Sequence, residues 1–238
     1  MRGGWIYGVV MLLVACGGQP TPVLETVVAD PPVQRATLLF AGDLMVHTPQ
    51  LTAARTSEGY DFSPSFTYLK PLIEEADLAV VNLETTLAAK GAYTGYPLFR
   101  SPAAMADAMR EAGFDVALLA NNHCMDYGAR GARETIEALD RVGLKHTGVF
   151  LSARERNARP HLYLQINGIS IALLNYTYGT NGMPVVKPAV VNRLDTVRMK
   201  EDIRRDLGID EVMFYDNDIY GSGASLVPVL DTPSMFRE

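Results

Sequence analysis

The sequence predicts an α/β layered domain in which a mixed β-sheet is flanked by helices. Three observations predict it. Short apolar runs without alternation recur along the chain, amphipathic segments lie between them, and one Asn-Gly pair sits between two stretches of strand length. Unalternated apolar runs read as strands covered on both faces, as in parallel sheets. Strands that alternate with helices over short links point to the α/β class. The 238 residues are 48% hydrophobic and 20% charged, enough for one domain with a sizeable core.

The chain opens on a targeting segment, residues 1–15. Arg2 supplies the positive end, and residues 5–14 form an apolar stretch of signal-peptide length, too short to span a bilayer. The stretch ends in Leu13-Val14-Ala15-Cys16, which resembles a bacterial lipobox, with cleavage before Cys16 and lipid on its sulfur. The alternative is a plain signal peptide that happens to contain a cysteine. Several acyl chains on one cysteine anchor firmly where a single chain holds only marginally. Residues 16–35, with Pro20, Pro22, Pro31 and Pro32, read as a semi-rigid tether.

The folded domain is expected over residues 36–207. Residues 36–41 read as a first buried strand that ends at Gly42. Residues 66–76 read as a helix broken early by Pro71. Residues 78–81 are a second buried strand. Ser101 suits an N-cap, Pro102 the first helical position and Gly113 the C′ position of a helix between them. Residues 116–120 are a third strand, residues 129–142 a helix stopped by Gly143, and residues 145–148 a fourth strand. Residues 162–166 and 169–174 flank Asn167-Gly168, the strongest two-residue hairpin signal. A loop over 176–192 leads to a helix at 195–207, and residues 211–214 read as one more strand.

Three of the strands end in residues of metal-ligand type. The first ends in Gly42-Asp43, with His47 four residues on. The second ends in Asn82-Leu83-Glu84. The third ends in Asn121-Asn122-His123, with Asp126 three residues on. In open α/β sheets, sites lie beyond the carboxyl ends of the strands, so these groups converge at one rim. Mixed oxygen and imidazole donors suit a divalent ion such as Mn, Zn or Fe. Such an ion activates water and clamps a phosphoryl or carbonyl oxygen, and a neighbouring histidine protonates a leaving group. Each residue also has a plainer reading. Asp43 suits a turn, His47 a surface loop, and Asn82 and Glu84 a cap on the next segment. Asp126 either orients His123 or caps the following helix. Cys124 reads as a small buried side chain, since no base accompanies it. Net charge is −6 and no basic run occurs, which argues against nucleic-acid binding.

Phe40-Ala41-Gly42-Asp43-Leu44-Met45-Val46-His47, Val81-Asn82-Leu83-Glu84 and Ala120-Asn121-Asn122-His123-Cys124-Met125-Asp126-Tyr127-Gly128 together resemble the motifs of the CapA family of poly-γ-glutamate capsule synthesis proteins. The stretches 145–148 and 172–182 resemble that family as well. The resemblance covers residues 36–200. It implies a calcineurin-like metallophosphatase-type fold and a role in capsule synthesis, export or anchoring. It also implies Asp43, Glu84 and Asn122 as metal ligands and His123 as acid or charge stabiliser, with His47, Asn82 and Asp126 around them. The expected partners are the membrane through the anchor, capsule-synthesis membrane proteins and an anionic polymer, in the cell envelope.

The resemblance gives out after Leu207. The family continues with two histidine motifs, whereas no histidine follows His161 here. The metal is therefore expected to be weakly held, and catalysis is open. Asp216-Asn217-Asp218 has the start of a calcium loop, but its twelfth position is Val227 rather than glutamate. Residues 208–238 read as a divergent, poorly packed tail of a truncated or frame-shifted product or an incomplete homologue. Such a chain leaves a sheet edge and an apolar face exposed. Two further readings stand beside the enzyme: a non-catalytic anchored scaffold that holds a synthase or polymer, and a non-functional fragment.

Overall fold

A computed structural model of the chain describes residues 33–207. The signal segment, Cys16, all but the end of the tether, the strand expected at 211–214 and the tail lie outside the described residues. The chain divides into units 1–33 and 34–238, and every element below belongs to the second.

The elements follow in order. Strand β1 is Leu38–Leu44, helix α1 Thr48–Ala53, helix α2 Lys70–Glu74 and strand β2 Leu78–Leu83. Strands β3 Thr86–Ala88 and β4 Arg100–Pro102 precede helix α3 Ala104–Ala112 and strand β5 Val116–Leu118. Then come helix α4 Gly128–Val142, strands β6 Lys145–Thr147 and β7 Val149–Phe150, and helix α5 Ala153–Ala158. The hairpin is β8 Leu162–Ile166 and β9 Ile169–Leu173, and the last elements are β10 Val190–Val191 and α6 Thr196–Leu207.

Four strands form the central sheet in the order β1-β2-β5-β6, all parallel. Strands β2 and β5 inside it are covered on both faces, which is why they read as unbroken apolar runs, whereas the outer strand β1 is not the buried strand expected: Phe40 is 59% exposed, and Gly42 and Asp43 are exposed. Leu78, Val80 and Val116 point to one face and pack with Leu164 and Leu173 of the hairpin. Ala79, Val81 and Ala117 point to the other and pack with Met105 and Met109 of α3 and Ile136 and Leu139 of α4. Each of the Val, Leu, Ile and Met side chains among them contributes about 1.5–3 kcal/mol on burial. Helices α3 and α4 both stop at a left-handed glycine, Gly113 (φ 101°) and Gly143 (φ 74°), as the sequence predicts. Asp195 caps α6, its Oδ1 accepting from the amides of Val197 and Arg198 at 3.0 and 3.2 Å. Among the described residues no helix is long and apolar enough to cross a membrane.

The structure refines several local expectations. Residues 66–76 are not one helix. A 3-10 turn at Ser63–Phe66 comes first, and α2 follows with Pro71 in its first turn. The missing N–H of proline costs nothing there, so Pro71 starts a helix rather than breaking one. Ser101 is not an N-cap. It lies in β4, which pairs in parallel with β3, and its Oγ meets Thr85 Oγ1 at 2.8 Å. Helix α3 begins at Ala104, two residues after Pro102, with Ala103 at the N-cap position. The antiparallel hairpin forms as expected, with Asn167 and Gly168 both at positive φ. Its strands bond to each other and lie as a layer on the central sheet rather than extending it.

A bulge in β1 sets up the site. The register runs Ala41 opposite Val81, then skips Gly42, so that Asp43 lies opposite Asn82. The extra residue re-aims the strand end, as bulges beside sites do.

Candidate functional site

The carboxyl ends of β1, β2 and β5 meet at one rim, and their polar residues form a connected network. The Asn82 amide nitrogen donates to Asp43 Oδ1 at 2.8 Å and to Glu84 Oε2 at 3.1 Å. Asn121 Nδ2 in turn donates to Asn82 Oδ1 at 3.1 Å and to the Leu83 carbonyl at 2.9 Å. Asn121 Oδ1 accepts from the His123 amide at 3.1 Å. A ladder of carboxamides therefore links the β5 turn to the two carboxylates. It also fixes which way each amide faces, since only one assignment satisfies all the bonds.

Asp43 and Glu84 stand in direct contact. Asp43 is exposed and Glu84 is 7% exposed. Burial, then the Asp43 charge and a hydrogen bond with it, push the Glu84 carboxyl up to about 7. Near neutral pH the Glu84 carboxyl is therefore about half protonated.

His123 belongs to a second cluster. Its Nδ1 meets Asp126 Oδ2 at 2.7 Å, and the same oxygen accepts from the Phe99 amide at 2.7 Å. Burial raises the Asp126 pKa above the ordinary aspartate value. Its Oδ1 is buried with no hydrogen-bond partner among the described residues. A carboxylate on Nδ1 places the proton there and leaves Nε2 as the acceptor. Nε2 faces Asn181, whose Nδ2 lies 3.3 Å away. Phe99 stands edge-on between two imidazoles, its ring centroid 4.7 Å from His123 and 4.9 Å from His47. The loop carrying Phe99 packs tightly on His47: a Cβ on Gly95 would come 2.7 Å from the Thr48 nitrogen. Cys124 is buried, and burial lifts its thiol to about 12, so it is no nucleophile.

The predicted residues therefore divide. Asp43, Asn82 and Glu84 are brought together, and His123 and Asp126 are paired beside them. His47 packs on Phe99 and makes no hydrogen bond to the carboxylates among the described residues. Asn122 is half-buried, and among the described residues no hydrogen bond ties its side chain to the pair; its neighbour Asn121 makes that link. Sequence reasoning missed Phe99 and Asn181. Phe99 carries no polar signal, and Asn181 sits in a loop far along the chain.

Two touching carboxyls, one of them held half-neutral, are the arrangement that a hard divalent cation relieves. The residues fit one such ion through Asp43 and Glu84. Among the described residues, no cluster of three His, Cys, Asp or Glu surrounds them.

Comparison with known proteins bears on this site. A family model described as "Bacterial capsule synthesis protein PGA_cap" matches residues 37–214. That span contains every group above, and it runs past residue 207, where the sequence motifs give out. The chain is 39% identical over 70 residues to a protein of Bacillus anthracis named "Capsule biosynthesis protein CapA", covering 29% of this chain and 16% of that one. It is 24% identical over 143 residues to the "PGA biosynthesis protein CapA" of Bacillus subtilis, covering 58% and 36%. A protein of Sinorhizobium fredii named "Uncharacterized protein y4sH" is 30% identical over 131 residues, covering 52% and 28%. The chain thus spans from about a sixth to about a third of the length of these curated relatives.

Proposed function

The chain belongs to the PGA_cap family of bacterial capsule synthesis proteins, and from that membership we propose that it is an envelope lipoprotein of CapA type acting in capsule biosynthesis, with a single-cation site of metallophosphatase kind. The observation that carries the site reading is the contact of Asp43 and Glu84 through Asn82, beside the His123–Asp126 pair. Asp43 and Glu84 would hold the divalent ion. When bound, it would polarise a phosphoryl or carbonyl oxygen and acidify water. Asp126 fixes the orientation of the imidazole through Nδ1. His123 Nε2, which meets the Asn181 carboxamide in the structure, would move the proton to or from the reacting oxygen once substrate takes the place of that contact. Phe99 excludes water from one side of that ring. Poly-γ-glutamate, named in the family's motif resemblance, is the polymer this reading assigns.

The test is metal content and phosphoester hydrolysis after purification with Mn²⁺ or Zn²⁺. One equivalent of metal is expected, lost in Asp43→Ala. An apo protein indifferent to metal in every assay would overturn the site.

The absence of a third acidic or imidazole donor among the described residues favours a second reading, a non-catalytic anchored holder of polymer or synthase. It predicts capture of polyglutamate that is unchanged in Asp43→Ala and lost when the anchor is deleted.

A further inference from the structure

A cation stands beside this site with no assigned role. Thr177 and Arg193 form a parallel bridge, with the Thr177 amide donating to the Asn192 carbonyl at 3.0 Å and the Leu194 amide to the Thr177 carbonyl at 2.9 Å. The backbone of Arg193 is thus pinned to the start of the loop 177–183. That loop brings the Asn181 carboxamide to His123 Nε2 at 3.3 Å, with Asn181 at φ 49°. The residue before it, Thr180, is buried, donates to the Met183 carbonyl at 2.6 Å and accepts from Arg193 Nη2 at 3.4 Å. The guanidinium therefore lies one residue along the loop from the group that touches His123. Its charge also reaches the buried Cys124 thiol, next to His123 in the chain.

No carboxylate pairs with Arg193 among the described residues. Asp43 and Glu84 face each other across Asn82. Asp126 is taken by His123 and the Phe99 amide. Asp195, two residues on, is occupied as the cap of α6. The rim is otherwise acidic, and the chain carries a net charge of −6, so an anion approaching His123 meets repulsion unless a fixed cation receives it. Guanidinium is the group best shaped to grip carboxylate or phosphate through two parallel hydrogen bonds.

We propose that Arg193 is the anion-binding residue of this site, taking a carboxylate or phosphate of the substrate, with the Asn181 carboxamide beside it, and presenting the adjoining bond to His123. The proposal rests on the reading of His123 and the Asp43–Glu84 pair given above.

The test uses the chain as purified, with glutarate and inorganic phosphate as probes. Binding is followed by the NMR shifts of labelled histidine, the His123 signal being assigned with His123→Asn, and Mn²⁺ affinity is measured on the same samples. Wild-type protein should bind at least one probe and shift the His123 signal. Arg193→Gln should weaken that binding tenfold or more, Arg193→Lys should recover part of it, and Mn²⁺ affinity should not change in either. Preference for glutarate identifies a polycarboxylate as the source of the anion, and preference for phosphate a phosphoester; either supports the site. Equal binding by wild type and Arg193→Gln, or no binding of either probe by wild type, overturns it. If Mn²⁺ fails to bind wild type while probe binding still depends on Arg193, the metal reading falls and the anion site stands.

Discussion

Glu84 carries the largest electrostatic cost at the rim. Its carboxyl is held at about 7 in the fold against an ordinary 4.5. The native state therefore keeps a proton that the unfolded chain releases between those values. Stability is full below pH 4.5 on this account and falls as pH rises through 7, because the unfolded state binds fewer protons over that window. In chelator, the melting temperature should decline from pH 5 to pH 8, and Glu84→Gln should flatten that decline. Mn²⁺ should raise the melting temperature at pH 8 much more than at pH 5, since only the doubly ionised pair attracts it strongly. Thermal melts across pH, with and without the ion, check both signs. An identical pH profile in wild type and Glu84→Gln would refute the account.

Among elements, the packing of α5 and α6 depends on one buried ion pair. Arg156 Nη1 donates to Asp202 Oδ1 at 2.9 Å and Nη2 to Oδ2, while Nε donates to Asn192 Oδ1 at 3.0 Å. Tyr176 donates its hydroxyl to the same carboxylate at 2.8 Å. Asp202→Asn leaves a buried guanidinium without its counter-charge and should cost about 3–5 kcal/mol in urea unfolding. Replacing both partners, as Arg156→Met with Asp202→Leu, should recover part of that loss. Gly148 joins β6 to β7 at φ 99°, and a Cβ there would come 2.6 Å from the Ala120 nitrogen. Gly148→Ala should therefore lose about 2 kcal/mol or more, or about 4–8 °C in melting temperature. It should also disturb the site, since the Ala120 amide, held by Asn175 Oδ1 at 2.6 Å, leads directly into Asn121.

The elements also show what a sequence can and cannot convey. Strand β2 is readable because burial on both faces demands apolar residues over positions 78–81, ahead of the polar Asn82. The hairpin is readable because Asn167-Gly168 satisfies a positive-φ turn with two residues. Strand β4 is not readable. Three residues ending in proline carry no periodicity, and their pairing depends on β3, which lies across the loop containing Phe99. Ser101-Pro102 fits a helix start equally well until the Thr85 hydroxyl claims the serine.

For the whole molecule, the family match spans the described domain, while the anchor reading concerns residues outside it. The lipobox reading predicts that Cys16→Ser moves the protein from the membrane fraction to the soluble fraction of the envelope, leaving the melting temperature of the domain unchanged. Fractionation and a melt of the released protein check this; wild-type protein found free of membranes would refute it.

Alone, the sequence determined the class of the fold and the chemistry at three strand ends, because apolar periodicity and residue type are local properties. It placed Asp43, Glu84 and His123 at one rim, and Asp126 within reach of the imidazole. Only tertiary structure decided that Asn121 rather than Asn122 joins the carboxamide ladder, that Phe99 stands between His47 and His123, and that Asn181 reaches the histidine from a loop whose Thr180 accepts from Arg193. The contacts that reach His123 join it to Phe99, 24 residues earlier in the chain, and to Asn181, 58 residues later. Their geometry is set by a bulge, a tight glycine and a bridged loop, none of which leaves a periodic trace in the chain.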